Sequence, residues 1–508
     1  MIDLLLRGGT VHDGLGSRAV TADVAVTGDT VSAVGADLGP ARRTIDVSGL
    51  LVTPGFLDPH AHSDMVPLMA DPQPFKLHQG VTTEIVGNCG YSFAPLSADA
   101  AREASVLFAD ISAGIAVGAR TFAGYLAAVA DAGPTNHVAA LVGHNTLRLS
   151  ANGMDRDLRP GAAEHMARLA DEAFAAGAVG LSSGLIYPPG CYADTAELTA
   201  LARVAHRWNL PYATHLRNED DGLLDAVDEA VAIARDARVR LQVSHCKVAG
   251  RPNHGTAGAL LERLRAARVA GVDVRGDLYP YRAGATVLAA LLPAAAHEGG
   301  VRALRARLAD PATRRALRGG LFDLTGPGDV LLTGGPHAGR TLADVTGPGD
   351  PWDTLCDLVL ADPGTGMVVT LMAEDDVREL MADPLVAIGS DNGVPVGLQH
   401  PRTWGCFPRF LGTYVRDLGV VDWPEAVRKC TSATADQFGV VGRGWLGRGA
   451  VADLAVFDPD TIGHPGGYDL PDLPPTGMRF VVLAGHVVID DGVFVGERRG
   501  RVLGTGPT

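Results

Sequence analysis

A chain of 508 residues is too long for one ordinary core, and with 46 % hydrophobic residues it can fill more than one, which excludes a disordered protein. The formal charge of −15 is spread without long like-charge runs. That disfavours nucleic acid as a partner and leaves a small-molecule substrate open.

The N-terminus, "MIDLLLRGGTVHDG", has neither a basic leader nor a long apolar core, so no signal peptide is expected. The first fifty residues alternate apolar and polar between turn signals, as in "TADVAVTGDTVSAVG", and predict short antiparallel strands. The same texture returns in "GAVADLAVFDPD" (449–460) and "TGMRFVVLAGHVVIDDGVFV" (476–495), so the two ends are expected to build one small β-sandwich, residues 1–54 with 442–508. Between them, short apolar runs alternate with helical patterns. The runs are "LLVTPGFLDPH", "TTEIVGNCG", "HVAALVGHN", "AVGLSSGL", "LPYATHLRN", "VRLQVSHCK", "VDVRGDLYPY" and "LVAIGSDNG". Eight such units predict an α/β protein with a (β/α)₈, TIM-like barrel over residues 55–285 and 351–441. Residues 286–350 are too long for a simple crossover and are expected to form an inserted subdomain or lid between strands 7 and 8. No apolar run reaches membrane-spanning length without Gly, Pro or charge, and the six cysteines form no CxxC. A soluble cytoplasmic protein with free thiols fits best.

In such a barrel the C-terminal strand ends carry the chemistry. Strand 1 ends in "HAH", and residues i and i+2 of a strand face one side, so His60 and His62 can share one ion. The other ends supply Cys89 after strand 2, His215 after strand 5, His245 after strand 6 and Asp391 after strand 8. All six are residue types that bind Zn²⁺ or a similar ion. Asp391 can serve as a ligand or as a proton carrier. Lys247, two residues past His245, and Arg402 offer positive charge for a substrate carboxylate. His144 at the end of strand 3 is either a structural histidine or a supporting group for the site. Cys246 should face away from it by strand alternation.

The order of HxH, His, His and Asp along the strands resembles the amidohydrolase superfamily. Most binuclear members bridge their metals with a carboxylated lysine on strand 4. Here "AVGLSSGLIYPPG" has none, and the three lysines of the chain (Lys76, Lys247, Lys429) lie elsewhere. The stretches "EIVGNCGYSFAP", "THLRNEDDGLLDAVDEA", "SHCKVAGRPNHG", "YPYRAGATVLAALLP" and "HPRTWGCFPRFLG" closely resemble the N-acyl-D-amino-acid deacylases, or D-aminoacylases, from about residue 1 to 495. The resemblance implies one tightly bound zinc on Cys89, His215 and His245. It gives His60, His62 and Asp391 a second position, weakly filled or empty. It also implies proton transfer by Asp391 and a carboxylate clamp of Lys247, Tyr279 and Arg402. Asn145 stands where the family often carries Gly, which leaves that loop's shape open.

The apolar run "ATVLAALLP" (285–293) suggests neutral or hydrophobic D-residues as substrates. The rival readings are a cyclic-amide hydrolase of the hydantoinase or dihydroorotase type, a dipeptidase for D-residues, and a non-catalytic scaffold on the same fold. Acyl preference and oligomeric state are not written in the sequence.

Overall fold

The apolar runs in the middle of the chain form strands, and all of them pair in parallel. The computed structural model describes residues 1–112, 114–118, 120–319 and 321–504. Gly320 of the expected insertion and residues 505–508 of the expected terminal unit lie outside the described residues. The fold is α/β. Its central strands are β1 (Phe56–Asp58), β2 (Val81–Val86), β3 (His137–Ala140, prolonged by Val142–Gly143), β4 (Leu181–Gly184), β5 (Tyr212–His215), β6 (Leu241–Val243), β7 (Val274–Leu278) and β8 (Val386–Ile388).

Pairing follows chain order. β1, β2 and β3 form one parallel set, and the prolongation of β3 with β4 to β8 forms another. The sets meet at residue 141, where Leu141 N–H donates to the Val86 carbonyl at 2.9 Å and Val179 N–H to the Ala140 carbonyl at 2.9 Å. At the far edge Asp391 N–H reaches the His60 carbonyl (2.8 Å) and His62 N–H the Asn392 carbonyl (3.0 Å), so the end of β8 lies against the end of β1.

Amphipathic helices cover these strands. The helix Leu223–Ala237 buries Leu223, Ala226, Val227, Ala230, Ile233, Ala234 and Ala237, a stripe at the spacing of one helical face. The helix Thr195–Arg207 starts where Asp194 accepts the Glu197 N–H at 2.8 Å, satisfying one of the donors that a helix start leaves free. Within the described residues no helix is long and apolar enough to cross a membrane.

Both termini contribute to a single nine-stranded sheet, with Leu51–Pro54 pairing to Leu454–Phe457 and to the N-terminal strand Ile2–Val11. Its core contains Leu4, Leu6, Val24, Val52, Leu454 and Val482. The last strand, Val502–Leu503, leaves that sheet and pairs with β3. A separate antiparallel sheet, which sequence reading did not anticipate, runs past both expected bounds of the lid segment: Ala283–Val287, Val330–Leu332 and Gly366–Thr370, of which only Val330–Leu332 lies wholly within 286–350. Leu288, Leu304, Trp352 and Leu355 pack beneath it.

Candidate metal centre

Six polar side chains converge where β1, β2, β5, β6 and β8 end. Three of them stand in the left-handed backbone region: Cys89 (φ 52°), His245 (φ 34°) and Asp391 (φ 49°). A side chain costs about 1 kcal/mol or more there, so each position must be held by its surroundings. His245 N–H donates to Asp277 Oδ1 at 2.7 Å, and Asp391 is fixed by its bond to the His60 carbonyl. The sharp turn at each strand end lifts these side chains over the mouth of the sheet.

Cys89 is the hub. Its Sγ lies 3.3 Å from His60 Nε2, 3.4 Å from His245 Nε2 and 3.7 Å from His215 Nδ1. Ligands about 2.0–2.3 Å from a tetrahedral zinc stand about 3.5 Å apart, so the thiol and imidazoles have the spacing of such a donor set. Asp391 Oδ1 lies 3.4 Å from His60 Nε2 and 3.3 Å from His62 Nε2, which defines a second donor group sharing His60. Burial alone would raise the Cys89 thiol, but the charges of His60 and His245 and a hydrogen bond to His215 bring it well below its ordinary range. For Asp391 the burial penalty is overcome by the Arg402 charge and by His60, which hold the carboxyl well below the usual range.

The cleft above the cluster holds about 300 Å³. One side carries Lys247, Tyr279 and Arg402. Arg402 Nη1 pairs with Asp391 Oδ2 at 2.8 Å, and its guanidinium lies 4.5 Å from the centre of the Tyr279 ring. Lys247 Nζ contacts Glu219 Oε1 and His245 Nδ1, both at 2.7 Å. Among the described residues the buried Tyr279 hydroxyl has no hydrogen-bond partner, a donor at the cleft left unspent. The other walls are mostly apolar, with Ala285, Val287, Ala290 and Leu291 from the stretch that follows β7 and Ile111 and Ile186 from loops.

The amidohydrolase family model matches residues 43–320 and 340–489. A D-aminoacylase of Alcaligenes xylosoxydans xylosoxydans is 37 % identical over 99 % of this chain and 97 % of its own. Solved structures of D-aminoacylase superpose with a TM-score of 0.87 at 35 % identity, covering 99 % of this chain and 100 % of theirs; one of them concerns a binuclear metal centre with one-metal activation and second-metal attenuation. An N-acyl-D-glutamate deacylase from Bordetella bronchiseptica, solved with zinc and a phosphonate mimic of the reaction's tetrahedral intermediate, gives 0.86 at 33 % identity over 99 % and 100 % of the two chains.

The chain belongs to the N-acyl-D-amino-acid deacylase family of amidohydrolases.

Within this deacylase fold nine of the ten residues singled out from the sequence line one site. His144 does not. The helix His144–Asn152 begins directly after β3, and the His144 ring turns outward to Glu197, 2.8 Å from its Nε2, in a buried cluster with Arg148. Its part is structural. Asn145 answers the open question of its loop: its Nδ2 donates to the carbonyls of Gly184 and Tyr187, both at 3.1 Å, and so ties down the loop after β4. Cys246 is buried and turned into the core, its thiol 3.6 Å from the Val243 carbonyl.

Two carboxylates were missed. Glu219 stands 3.4 Å from His215, 3.1 Å from His245 and 2.7 Å from Lys247. In sequence it is the first acid of "EDD", ahead of a helix where acids are ordinary, but its place four residues past His215 was the available signal. Asp277 lies 3.2 Å from His60 Nδ1 and accepts from the His245 backbone N–H, so from inside β7 it faces the His60 ring and holds the backbone that carries His245.

Proposed function

We propose that this deacylase hydrolyses N-acyl-D-amino acids to a carboxylate and a free D-amino acid, favouring neutral or hydrophobic side chains. The observation that carries the reading is the Cys89 thiol ringed by three imidazole nitrogens at 3.3–3.7 Å beneath a cleft that bears two cations on one side. We read the eight parallel strands as one (β/α)₈ barrel, residues 55–285 with 351–441. Beside it stand a composite β-sandwich built from residues 1–54 and from 442 onward, short of Val502–Leu503, and an insertion whose sheet extends from Ala283 to Thr370, beyond the expected 286–350.

Cys89, His215 and His245 would hold a tight Zn²⁺, and His60, His62 and Asp391 a second, weaker position. A zinc ion there polarises a carbonyl and lowers the pKa of water from about 16 towards about 7. Lys247, Tyr279 and Arg402 bind the substrate's α-carboxylate, whose charge competes with Glu219 and Asp391 for the two cations. Asp391 takes the proton from the attacking water and returns it to the amide nitrogen. The water oxygen joins the acyl carbon as the C–N bond breaks. Asp277 and Glu219 keep the imidazoles oriented. Metal, carboxylate clamp and side-chain wall are three fixed points, which is what selection of one enantiomer requires.

The cyclic-amide reading loses its usual bridge. β4 bears no lysine, Lys76 and Lys429 are buried elsewhere, and Lys247 is paired with Glu219. Among the described residues the cleft adds no further arginine or lysine for an acidic side chain. The test is a panel of N-acetyl-D- and L-amino acids and hydantoins with zinc-loaded enzyme. Hydrolysis confined to D-substrates is expected, with N-acetyl-D-Leu at least about tenfold better than N-acetyl-D-Glu. Cys89→Ala should release the tight zinc on dialysis. Turnover of hydantoins without N-acyl-D-amino acids overturns the reading, and equal rates for D-Leu and D-Glu overturn the side-chain preference.

A further inference from the structure

An apolar side chamber opens off the cleft behind Tyr91 and Tyr187. It shares Tyr91, Leu107, Tyr187, Val287 and Ala290 with the main cleft, and its inner wall is Met154, Pro188, Val301 and Leu304. The Tyr91 and Tyr187 rings stand 5.3 Å apart at the opening, and Tyr187 lies 5.1 Å from the His215 ring, so the mouth adjoins the Cys89 cluster. Asn145 holds the Tyr187 carbonyl at 3.1 Å and fixes that wall. His297 is satisfied by the Ala289 carbonyl at 3.1 Å, and burial lowers its imidazole to about 4, so it is uncharged at neutral pH.

The orientation of a substrate follows from strand order. Lys247, Tyr279 and Arg402 follow β6, β7 and β8, whereas Tyr91 and Tyr187 follow β2 and β4 on the opposite side. An N-acyl amino acid with its carboxylate on the cations and its scissile carbonyl over Cys89 extends its acyl end towards the two tyrosines. The chamber offers about 40 Å³, room for roughly three water-sized groups at about 10–15 Å³ each. Walls of this kind give water too few partners to stay ordered.

Resting on the deacylase reading, we propose that this chamber is an acyl subsite for straight chains of about four to six carbons, so that N-butyryl- to N-hexanoyl-D-amino acids are better substrates than N-acetyl ones. Each methylene buried should raise kcat/KM by about fourfold. The test compares N-acetyl-, N-butyryl-, N-hexanoyl- and N-decanoyl-D-Leu on zinc-loaded full-length enzyme, with N-acetyl-D-Ala and N-acetyl-D-norleucine as a side-chain series. A rise of at least tenfold from acetyl to hexanoyl and a fall at decanoyl are expected. Val301→Phe should bring the hexanoyl-to-acetyl ratio towards one, and Leu304→Ala should move the optimum to longer chains; the second variant carries the test alone where the first does not fold. A flat acyl series overturns the subsite, as does a rise that neither variant moves. Variants that shift the side-chain series instead assign the chamber to the amino-acid side chain and overturn it too. If no N-acyl-D-amino acid of any length is hydrolysed, the deacylase reading itself fails.

Discussion

Lys76 and Lys247 are both buried against carboxylates, yet their surroundings differ. Lys76 pairs with Asp58 and also reaches Asn392 Oδ1 at 2.8 Å, Ser390 Oγ at 3.0 Å and Glu84 Oε2 at 3.6 Å. These partners come from β1, from β2 and from the loop after β8, the place where the end of the strand order meets its beginning. The ammonium has no proton left to offer. Among the described residues Lys247 has only Glu219 and His245 as partners, and it lines the cleft. Its attraction to Glu219 outweighs burial and holds it charged, well above its ordinary range. Saturation makes the first lysine a strut; incompleteness leaves the second able to serve in the proposed carboxylate clamp, as a docking point.

Replacing each lysine by methionine tests that contrast. Lys76→Met leaves Asp58 and Glu84 buried without their cation and should cost about 3–5 kcal/mol of stability in urea unfolding. Lys247→Met should cost much less stability, because Glu219 keeps His215 and His245 as partners. If the two losses are equal, the distinction between strut and docking point is wrong.

Asp391 is the carboxylate counterpart in the same cleft, paired with Arg402. Asp391→Ala should lower kcat by about two to four decades, the usual contribution of a proton-transfer group, in protein that still folds and keeps the zinc that Cys89, His215 and His245 are proposed to hold. Normal turnover by that variant removes its proton-transfer role. For Lys247→Met the loss should fall on KM, rising about tenfold to a hundredfold as one charged hydrogen bond to the substrate carboxylate disappears. A loss confined to kcat would place Lys247 in the chemistry instead.

The sequence made the strand ends legible because histidine, cysteine and aspartate are conspicuous after short apolar runs. The backbone beneath them was not legible. Cys89, His245 and Asp391 occupy a region that glycine would ordinarily fill, and no local pattern announces it. His144 was open between a structural histidine and a supporting group because β3 and the following helix share no linker; a helix that starts at once turns the ring to Glu197. Glu219 was hidden among ordinary helix-leading acids, and Asp277 inside a strand whose alternation assigns it no role. The small sheet of the insertion was obscured because its three strands are separated by helices and pair only across long distances in sequence. The scarcity of lysine marked three positions worth locating, but only packing separates strut from docking point.

Lys429 extends the comparison to a buried lysine whose hydrogen bonds go to backbone carbonyls. Its Nζ donates to the carbonyls of Asp383 and Val386, and Glu425 lies 3.8 Å away. Burial outweighs these partners and lowers its pKa to about 8. Between about pH 8 and the unfolded value near 10.4 the unfolded chain binds the proton that the folded chain has released, so this residue's contribution to stability rises with pH. Lys429→Met removes that dependence. At pH 7 the variant should match or exceed the parent, because an apolar side chain of similar length avoids burying a charge. As pH rises from 8 to 10 its advantage should shrink, by at most about 1.4 kcal/mol per pH unit. Urea unfolding of both proteins across that range reads the difference directly. A gap that stays constant with pH would show that Lys429 remains charged throughout, and that two carbonyls suffice where Lys76 has carboxylates.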